Sequence, residues 1–507
     1  MLAASVAALG VVVVALAVVS NGNPAVATAP MLLIAVLYAV WKLPLRWTAV
    51  ALIGTLLGID QGTDSYSLWH SPLHLLADLL AQNIDSIFPA SRIKFTGLEA
   101  LLALLLAVVV HRKATGLAID SRGQVQTAGL LGDFVLIWLA AVIYVTLNGM
   151  AHGGSTSILI FQARPMLHYA LLFFFFQAAF RGPRDHELLG RLIVLCASSK
   201  AAMAVWIRYA VLPSLNPEMT FATNHGDSIL FCLGCMVLIA HFAERTDRRR
   251  LLHCLLFLPL IICGMVANTR RLAWVELCMA FLGVYAVSPW VKWKRAVTRA
   301  TVVALPVLAL YAYVGWSQSG GFFAPVQTMR SVIDAKIDRS TWWRDVENWN
   351  IVMSMRERPF LGRGFGHEYG EFIQSADISS IFELYRAAPH NSVLGLLLFA
   401  GVCAFTAIWS LFGLLVFLAV RAYRRAQLPE DRAAALCCLA AAIVISAQAY
   451  GDIGLFSTQS KIMTALALSV VGKLAVAMGA WPARVRNRGP AREPSHDDDA
   501  LPVVGAR

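Results

Sequence analysis

His390 and Asn391 are the residues of this chain best placed to do chemistry, because they stand directly before a long apolar run and directly after Pro389. An imidazole has an ordinary pKa of about 6.5, so at this boundary it can bind or release a proton near neutral pH. The pair therefore marks a candidate acid–base site where water meets hydrocarbon. The alternative is a solvated helix end without a chemical role.

Four arginines form the second group of candidates, since they fall at ends of apolar runs where basic side chains are rare. Arg164 lies just inside the start of one run, Arg208 closes the next, and Arg270 and Arg271 share a short turn. The planar guanidinium pairs with phosphate oxygens at two points. The group predicts an anion site suited to a lipid pyrophosphate. Snorkelling to lipid head groups, or pairing with an acidic residue such as Asp452, is the alternative.

The composition places these candidates in a membrane. Of the 507 residues, 58% are hydrophobic and only 14% are charged, and the mean hydropathy is +0.65. A soluble protein with a net charge of +12 would suggest nucleic acid. Here the charge lies in short loops, so orientation and lipid head groups explain it better. The nine cysteines lie in apolar segments, so we expect no disulfide framework.

Apolar stretches long enough for a hydrocarbon layer of about 30 Å predict an all-α polytopic protein with about fourteen transmembrane helices. The first stretch lacks a basic region before it, so we predict a retained helix and not a signal peptide. The predicted spans are 3–20, 25–41, 46–59, 93–111, 129–148, 158–180, 188–212, 226–243, 251–269, 271–288, 297–315, 390–420, 433–450 and 460–480.

The loops between these spans alternate in charge. Because basic loops stay in the cytoplasm, this alternation predicts that both termini are cytoplasmic. The basic residues concentrate in segments 42–46, 111–122, 181–184, 245–250, 292–299 and 421–432 and in the tail. The loops 60–92, 213–225 and 316–389 then lie outside, together with His390 and the four arginines.

The outer loop 316–389 exceeds ordinary connection lengths, which predicts a functional lid or reaction platform. Within it Trp342, Val346, Trp349 and Met353 recur at helical spacing. They predict an amphipathic helix at the membrane interface with its tryptophans at head-group level. Packing of this helix over the bundle is the alternative.

Later in the same loop, Gly362, Gly364 and Gly366 favour a tight turn over a phosphate-binding loop. Two further basic residues, Arg191 and Lys200, fall inside the predicted span 188–212. They either pair across the bundle or line a polar cavity.

Three motifs follow one another along the chain, and a fourth segment precedes them. Residues 269–274 (TRRLAW) resemble a Ser-Arg-Gly-Ala-Trp type of span start, and residues 339–366 resemble an Arg/Trp helix followed by a Pro-hydrophobic-Leu-Gly-x-Gly-x-Gly turn. Residues 390–394 (HNSVL), followed by Gly401, resemble a His-Asn-x-x-Leu helix start, and residues 221–225 resemble an Asn-bearing outer loop. Together they resemble the O-antigen ligase and polymerase family, which includes bacterial O-oligosaccharyltransferases.

The resemblance covers roughly residues 220–420 and departs from the family in two places. Arg270 stands where the family usually has Ser or Thr, so Arg271 is the matching arginine, and Leu272 replaces a common Gly. The resemblance implies a multi-span glycosyltransferase architecture similar to the GT-C class. The expected organisation is transmembrane helices in 1–219, the family-like region in 220–480 and a disordered cytoplasmic tail in 481–507.

The resemblance also implies glycan transfer from undecaprenyl pyrophosphate to an acceptor hydroxyl at the periplasmic face of the bacterial inner membrane. It makes His390 the residue that handles the acceptor proton and Arg271 the residue that stabilises the leaving pyrophosphate. Further substrate-binding candidates are Arg270, Arg208, Arg164, Arg339 and Asn391. No cofactor is expected, and the outer loops contain no motif that demands a metal.

The acceptor separates the members of such a family. A polymerase, slightly favoured here, would extend a lipid-linked glycan, a ligase would use lipid A–core, and an oligosaccharyltransferase would use a protein hydroxyl. A polysaccharide flippase is the alternative from another class, and a non-catalytic membrane scaffold is the third. A flippase would concentrate ionisable residues at the bilayer midplane, whereas here they gather near one surface.

Overall fold

The computed structural model describes residues 2–19, 24–59, 71–84, 94–115, 126–215, 221–245, 247–318, 321–323, 326–327, 330, 339–375, 377–379 and 382–483. The predicted disordered tail lies outside the described residues from 484 onward. Every predicted span coincides with a helix, and the described part of the chain contains no strand, which confirms the all-α class.

Seventeen α-helices form the described architecture. In chain order they are α1 Leu2–Val19, α2 Pro24–Lys42, α3 Leu45–Gly58, α4 His74–Ala81, α5 Gly97–Ala114, α6 Gly129–Ala151, α7 Thr156–Ala179, α8 His186–Trp206, α9 Leu212–Leu215, α10 Asp227–Glu244, α11 Arg248–Asn268, α12 Arg271–Val287, α13 Lys292–Gly315, α14 Arg339–Met355, α15 Ser392–Arg425, α16 Pro429–Gly451 and α17 Thr458–Ala477. A π-helical turn, Ile207–Val211, joins α8 to α9.

Nine helical segments in the described ranges are long and apolar enough to cross a membrane: α6, α7, α8 with its extension to Ser214, α10, α11, α13, α15, α16 and α17. The protein is therefore a polytopic membrane protein. Helix α3 has only 14 residues and α12 only 17, and α5 carries Glu99, Arg112 and Lys113. The larger number of about fourteen spans remains a prediction.

Contacts between helix ends gather the basic loops at one end of the bundle. Glu430 pairs with both Arg245 and Arg250 at 3.0 Å, and His186 contacts Asp431 at 2.8 Å. Described residues of two loops predicted to lie outside, His225 and the pair Glu347–His390, lie near Asp452 at the other end, which we call the outer end. This sorting is what alternating spans require, and the direction in which each end faces remains a prediction.

Helix α16 is the centre of the C-terminal half, packed against α10, α12, α15 and α17. Small residues make this position possible, since Ala433, Ala435 and Ala440 are fully buried. Small side chains let helix backbones approach closely where hydrophobicity alone does not drive association. The arrangement holds the outer end of α16 against the starts of α12 and α15.

The predicted glycine turn is inserted beside a break in α15. Gly401 has φ 64° and interrupts the helix. Chain segment 359–364 supplies the hydrogen bonds that the break removes. Gly364 N–H donates to Phe399 O at 2.8 Å, and Val402 N–H donates to Pro359 O at 2.9 Å. The turn is therefore part of the bundle's packing.

Two of its positions admit only glycine. Gly364 has φ 83°, and a Cβ there would lie 2.1 Å from the backbone nitrogen of Gly149 in α6. Gly362 has φ 74°, and its Cβ would lie 2.2 Å from Phe399 O. Both positions thus combine a left-handed backbone with a close approach to another backbone.

The predicted amphipathic helix is α14. One residue of the face that was predicted to meet the membrane interface is buried instead. Trp342 and Trp349 are exposed, as an interfacial helix requires, but Val346 is buried. The helix packs on α15, and its polar residues Asn350 and Ser354, both fully buried, face the returning chain at 370–373. The predicted packing over the bundle is therefore confirmed for one face, and the place of the tryptophans at the membrane interface remains a prediction.

We expect Gly364→Ala to lower the thermal unfolding midpoint of the purified protein. The left-handed backbone and the clash with Gly149 together cost on the order of 2 kcal/mol or more. Gly413→Ala is the matched control, because Gly413 lies in regular helix α15 with nothing within 4 Å of an added Cβ. That change should be neutral or stabilise by about 1 kcal/mol. Equal midpoints for the two variants would contradict the packing described for the turn.

Candidate functional site

His390 is paired with a carboxylate from the outer-loop helix α14. Glu347 Oε2 accepts a hydrogen bond from Nδ1 of the imidazole at 3.0 Å, and Glu347 Oε1 accepts one from the His390 backbone N–H at 3.1 Å. The Glu347 side chain is 8% exposed and that of His390 is 32% exposed. Donation from Nδ1 leaves Nε2 as the nitrogen that can bind a proton.

The buried polar face of α14 explains why Glu347 is held in place. Asn350, one turn further along, accepts from the backbone N–H groups of Phe372 and Ile373 at 3.0 and 2.9 Å and donates to Ile373 O at 2.7 Å. Ser354 accepts from Gly370 N–H at 2.8 Å. These bonds fix the returning chain against α14, and Glu347 lies on the same face.

The segment carrying His390 is anchored on both sides. Gln162 of α7 is fully buried and donates to Ala387 O at 2.7 Å. On the other side, Asn391 caps α15, because its Oδ1 accepts from Leu394 N–H at 3.1 Å. Asn391 was predicted to bind substrate, and the structure gives it a helix-capping contact.

A second histidine–carboxylate pair lies beside the first. His225 Nδ1 contacts Asp452 Oδ2 at 2.5 Å, and the Asp452 side chain is 6% exposed. Asp452 also ends α16, and its backbone carbonyl accepts from Ser392 Oγ at 3.2 Å. Asp452 was predicted to pair with an arginine or with His390, and its direct partner is His225.

The start of α12 reaches the same junction. Leu272 packs against Gly451, where an added Cβ would lie 2.7 Å from Leu272 Cδ1. Arg344 of α14 donates to Gly451 O at 3.1 Å. Since Arg271 precedes Leu272 and Asp452 follows Gly451, this contact brings the matching arginine to the end of the bundle that carries His390.

The turn before α12 has an unusual backbone. Thr269 adopts the left-handed conformation with φ 53°, although it is not glycine. Arg270 follows it, with its guanidinium carbon 4.3 Å from the centroid of the Phe221 ring. A cation–π contact of this kind orients the guanidinium.

Among the other predicted arginines, Arg164 has a partner from a different helix. Arg164 Nε pairs with Glu99 Oε1 at 2.9 Å, and its Nη1 donates to Asn83 Oδ1 at 2.8 Å. Arg208 lies half-buried in the π-helical turn after α8. Arg339 begins α14, and its side chain lies outside the described part of the chain.

The two basic residues inside α8 behave differently from each other. Lys200 forms a buried ion pair with Asp227 Oδ2 of α10 at 3.4 Å, and Gln459 Nε2 donates to Asp227 Oδ1 at 3.0 Å. Lys200 thus pairs across the bundle, as one of the two alternatives proposed. Arg191 pairs with Glu187 on its own helix, and both side chains are exposed.

The glycine turn cannot cradle a phosphate with its backbone. Gly362 N–H donates to Arg358 O, and the next two amides donate to α15. Phe365 N–H donates to Val145 O at 3.1 Å, and Gly366 N–H donates to Gln162 Oε1 at 2.7 Å. Each of these amides is already used, so the tight turn is the correct interpretation.

Electrostatics favour the charged forms of His390 and Asp452. Burial alone would lower the pKa of His390, but the hydrogen bond to Glu347 and the negative charges of Glu347 and Asp452 raise it above the ordinary value. Burial would raise the pKa of Asp452, but His225, Arg344 and His390 hold it well below its usual range. The four groups form one coupled network around the end of α16.

Glu347 is the functional candidate that the sequence did not single out. It lies 43 residues before His390, so only the folding of the outer loop brings the two together. The sequence held one signal for its role, because Glu347 falls on the same helical face as Asn350 and Ser354. The sequence did not single out Glu276 of α12 either. This residue is fully buried beside Cys232, and it interacts electrostatically with Asp452. No group of three or more His, Cys, Asp or Glu residues in the described ranges is arranged to hold a metal.

Comparison of the sequence with models of known protein families finds no match, and no curated protein matches it. The chemistry of the site is therefore inferred from its residues and their geometry.

We expect Glu347→Gln to lower the pKa of His390. The change removes the negative charge that favours the imidazolium, and the burial that opposes it remains. Diethylpyrocarbonate modifies only neutral imidazole, so modification of the His390 peptide, measured by mass spectrometry across pH, gives the pKa. The modification midpoint should lie above about 6.5 in the wild type and move to lower pH in the variant.

Glu357→Gln serves as the control for this experiment. Glu357 is an acid of the same loop that pairs with Arg363 Nη2 at 2.7 Å. Its loss should leave the His390 midpoint unchanged. An unshifted midpoint in Glu347→Gln would show that the contact does not control the protonation of His390.

Proposed function

We propose that the chain is a membrane glycosyltransferase of the O-antigen polymerase or ligase type. It would transfer a glycan from undecaprenyl pyrophosphate to an acceptor hydroxyl at the periplasmic face of the bacterial inner membrane. The observation that carries the proposal is the His390–Glu347 pair at the outer end of the bundle. A histidine oriented by a carboxylate is the arrangement that general-base chemistry uses.

In the proposed reaction, the acceptor oxygen attacks the anomeric carbon of the lipid-linked glycan. The new C–O bond forms as the bond from that carbon to the pyrophosphate oxygen breaks, and its electron pair leaves with the lipid pyrophosphate. His390 Nε2 takes the acceptor's proton and later releases it to water. Glu347 holds the imidazole and stabilises its charged form.

Arg271 is proposed to stabilise the charge that develops on the departing pyrophosphate. Its position next to Leu272, which packs against Gly451, supports a place near His390. A guanidinium remains charged at any working pH and donates to two phosphate oxygens together. Arg270 and Arg208 remain candidate helpers.

The proposed acceptor is a second lipid-linked glycan, which makes the chain a polymerase, with lipid A–core the next candidate. A deletion strain separates these acceptors. Loss of long chains with single repeats still on lipid A would indicate a polymerase. Loss of all glycan from lipid A, with long lipid-linked chains accumulating, would indicate a ligase.

A flippase remains the second candidate, favoured by the buried Lys200–Asp227 pair within the bundle. Ionisable residues inside membrane proteins often mark a transport path. Movement of a lipid-linked glycan across liposomes containing only this protein, without any transfer, would support transport over the proposed reaction.

His390→Ala and Arg271→Ala should abolish glycan transfer in a reconstituted assay while the protein still inserts. Loss of a general base lowers rates by about 10²–10⁴-fold, and loss of a charge-stabilising donor lowers them by about 10²–10³-fold. His253→Ala and Arg191→Ala are the controls. The His253 ring lies at a tilted angle to the Phe257 ring, and Arg191 pairs with Glu187. Near-wild-type transfer by either test variant would remove that residue from the proposed mechanism.

The proposed role of His390 also determines how the rate of glycan transfer depends on pH. A general base acts in its neutral form, so kcat/KM should rise with pH through the raised pKa of His390. In Glu347→Gln the rising limb should move to lower pH, while the maximal rate falls because the imidazole is no longer oriented. A pH profile identical to that of the wild type would rule out His390 as the titrating base.

A further inference from the structure

A second polar cluster lies at the outer end of α5 and α7 and takes no part in the proposed reaction. Glu99 belongs to a capping box with Thr96 at the start of α5. Its Oε1 contacts Arg164 Nε at 2.9 Å and His168 Nε2 at 3.3 Å, both from α7. The Arg164 and Glu99 side chains are 21% and 19% exposed, so the cluster is reachable from its surroundings.

A lysine from a third helix adds a second cation to this cluster. Lys461, in the first turn of α17, interacts electrostatically with Arg164, Glu99 and His168. The residue is only 8% exposed. Among the described residues its ammonium has neither a hydrogen-bond acceptor nor a carboxylate at ion-pair distance. A largely buried cation is poorly stabilised unless an anion lies close to it.

Two more polar atoms of the same region lack partners. His168 Nδ1 is buried without a hydrogen bond, and so is Thr464 Oγ1, one helical turn beyond Lys461. Buried polar atoms are nearly always satisfied in native proteins. An unpaired ammonium, an unpaired ring nitrogen and an unpaired hydroxyl on packed helices α7 and α17 indicate a missing polar partner.

The charge of the cluster identifies that partner. At neutral pH Arg164 and Lys461 carry two positive charges, and Glu99 supplies one negative charge. One positive charge is left over, so a singly charged oxyanion balances the site and a pyrophosphate would overcompensate it. A phosphodiester has this charge and offers acceptor oxygens to an ammonium and a guanidinium.

We propose that Lys461, Arg164 and His168 form an anion-binding site, separate from the His390 site, that takes the singly charged phosphate group of a membrane phospholipid or of free phosphate. This site does not depend on the proposed glycan transfer. Bound anion would join α5, α7 and α17 at their outer ends and stabilise their packing.

The test uses the full-length protein in micelles of an uncharged maltoside detergent without phospholipid, in buffer of constant ionic strength set with chloride. In one arm phosphatidylglycerol is added to the micelles, and in the other inorganic phosphate replaces part of the chloride. The thermal unfolding midpoint should rise in at least one arm. A rise with phosphatidylglycerol alone identifies a lipid head group, and a rise with phosphate identifies a free-anion site.

Lys461→Met tests the residues. It removes the cation and keeps most of the side-chain volume, so the variant should lose the rise and bind the anion about tenfold more weakly, a loss of about 1.4 kcal/mol. Lys473→Met is the matched control. Lys473 lies on the same helix and is similarly buried, but its ammonium already donates to Gln177 O at 2.7 Å and to Phe180 O. The control should keep the anion response of the wild type.

A second measurement covers the case in which Lys461→Met does not fold. Acetylation of Lys461 in the wild-type protein, followed by mass spectrometry, should slow when the stabilising anion is added. A wild-type protein that neither anion stabilises, or in which the anion leaves Lys461 equally reactive, would overturn the proposal. An equal anion response of Lys461→Met and wild type would also overturn it.

Discussion

The outer end of this bundle depends on the buried carboxylate of Asp452. The contact of this carboxylate with His225 ties the loop before α10 to the end of α16. The backbone carbonyl of Asp452 accepts a hydrogen bond from the Ser392 hydroxyl at the start of α15. Next to it, the carbonyl of Gly451 receives Arg344 from α14. A carboxylate buried in this position stays charged only because cations surround it. That requirement draws four separate chain segments to one point, and the His390–Glu347 pair lies beside it.

The structure separates two polar regions that look alike in sequence. One surrounds Asp452 and His390, where Asp452 pairs with His225 and Glu347 pairs with His390. The other surrounds Glu99, where cations outnumber acids. The first has the means to move a proton, and the second has the means to hold an anion. Arg164 therefore belongs to different chemistry from that of Arg271, although both are arginines placed against the expected charge pattern.

The helices could be predicted from sequence because apolar length and loop charge are local properties. His390 could be identified for the same reason, since the proline, the histidine and the apolar run are contiguous. Its partner Glu347 could not, because 43 residues of loop separate them and no periodicity specifies that contact. The partner of Arg164 comes from another helix, so the type of the residue indicated an anion without indicating that Glu99 already supplies one. For the glycine turn, the spacing of the glycines indicated a tight turn. The acceptor of each backbone N–H could not be predicted, because most of these acceptors lie on neighbouring helices.

The break at Gly401 has a mechanical consequence. It divides the 34-residue helix α15 into an outer segment of less than three turns and a longer inner segment. Across the break, backbone hydrogen bonds run to the chain at Pro359 and Gly364, so the outer segment is joined to the loop as firmly as to its own helix. The Ser392–Asp452 bond fixes the same segment to the end of α16. The break therefore lets two neighbouring chain segments brace the short stretch of helix that begins beside His390, where an unbroken helix would be supported by its own hydrogen bonds alone.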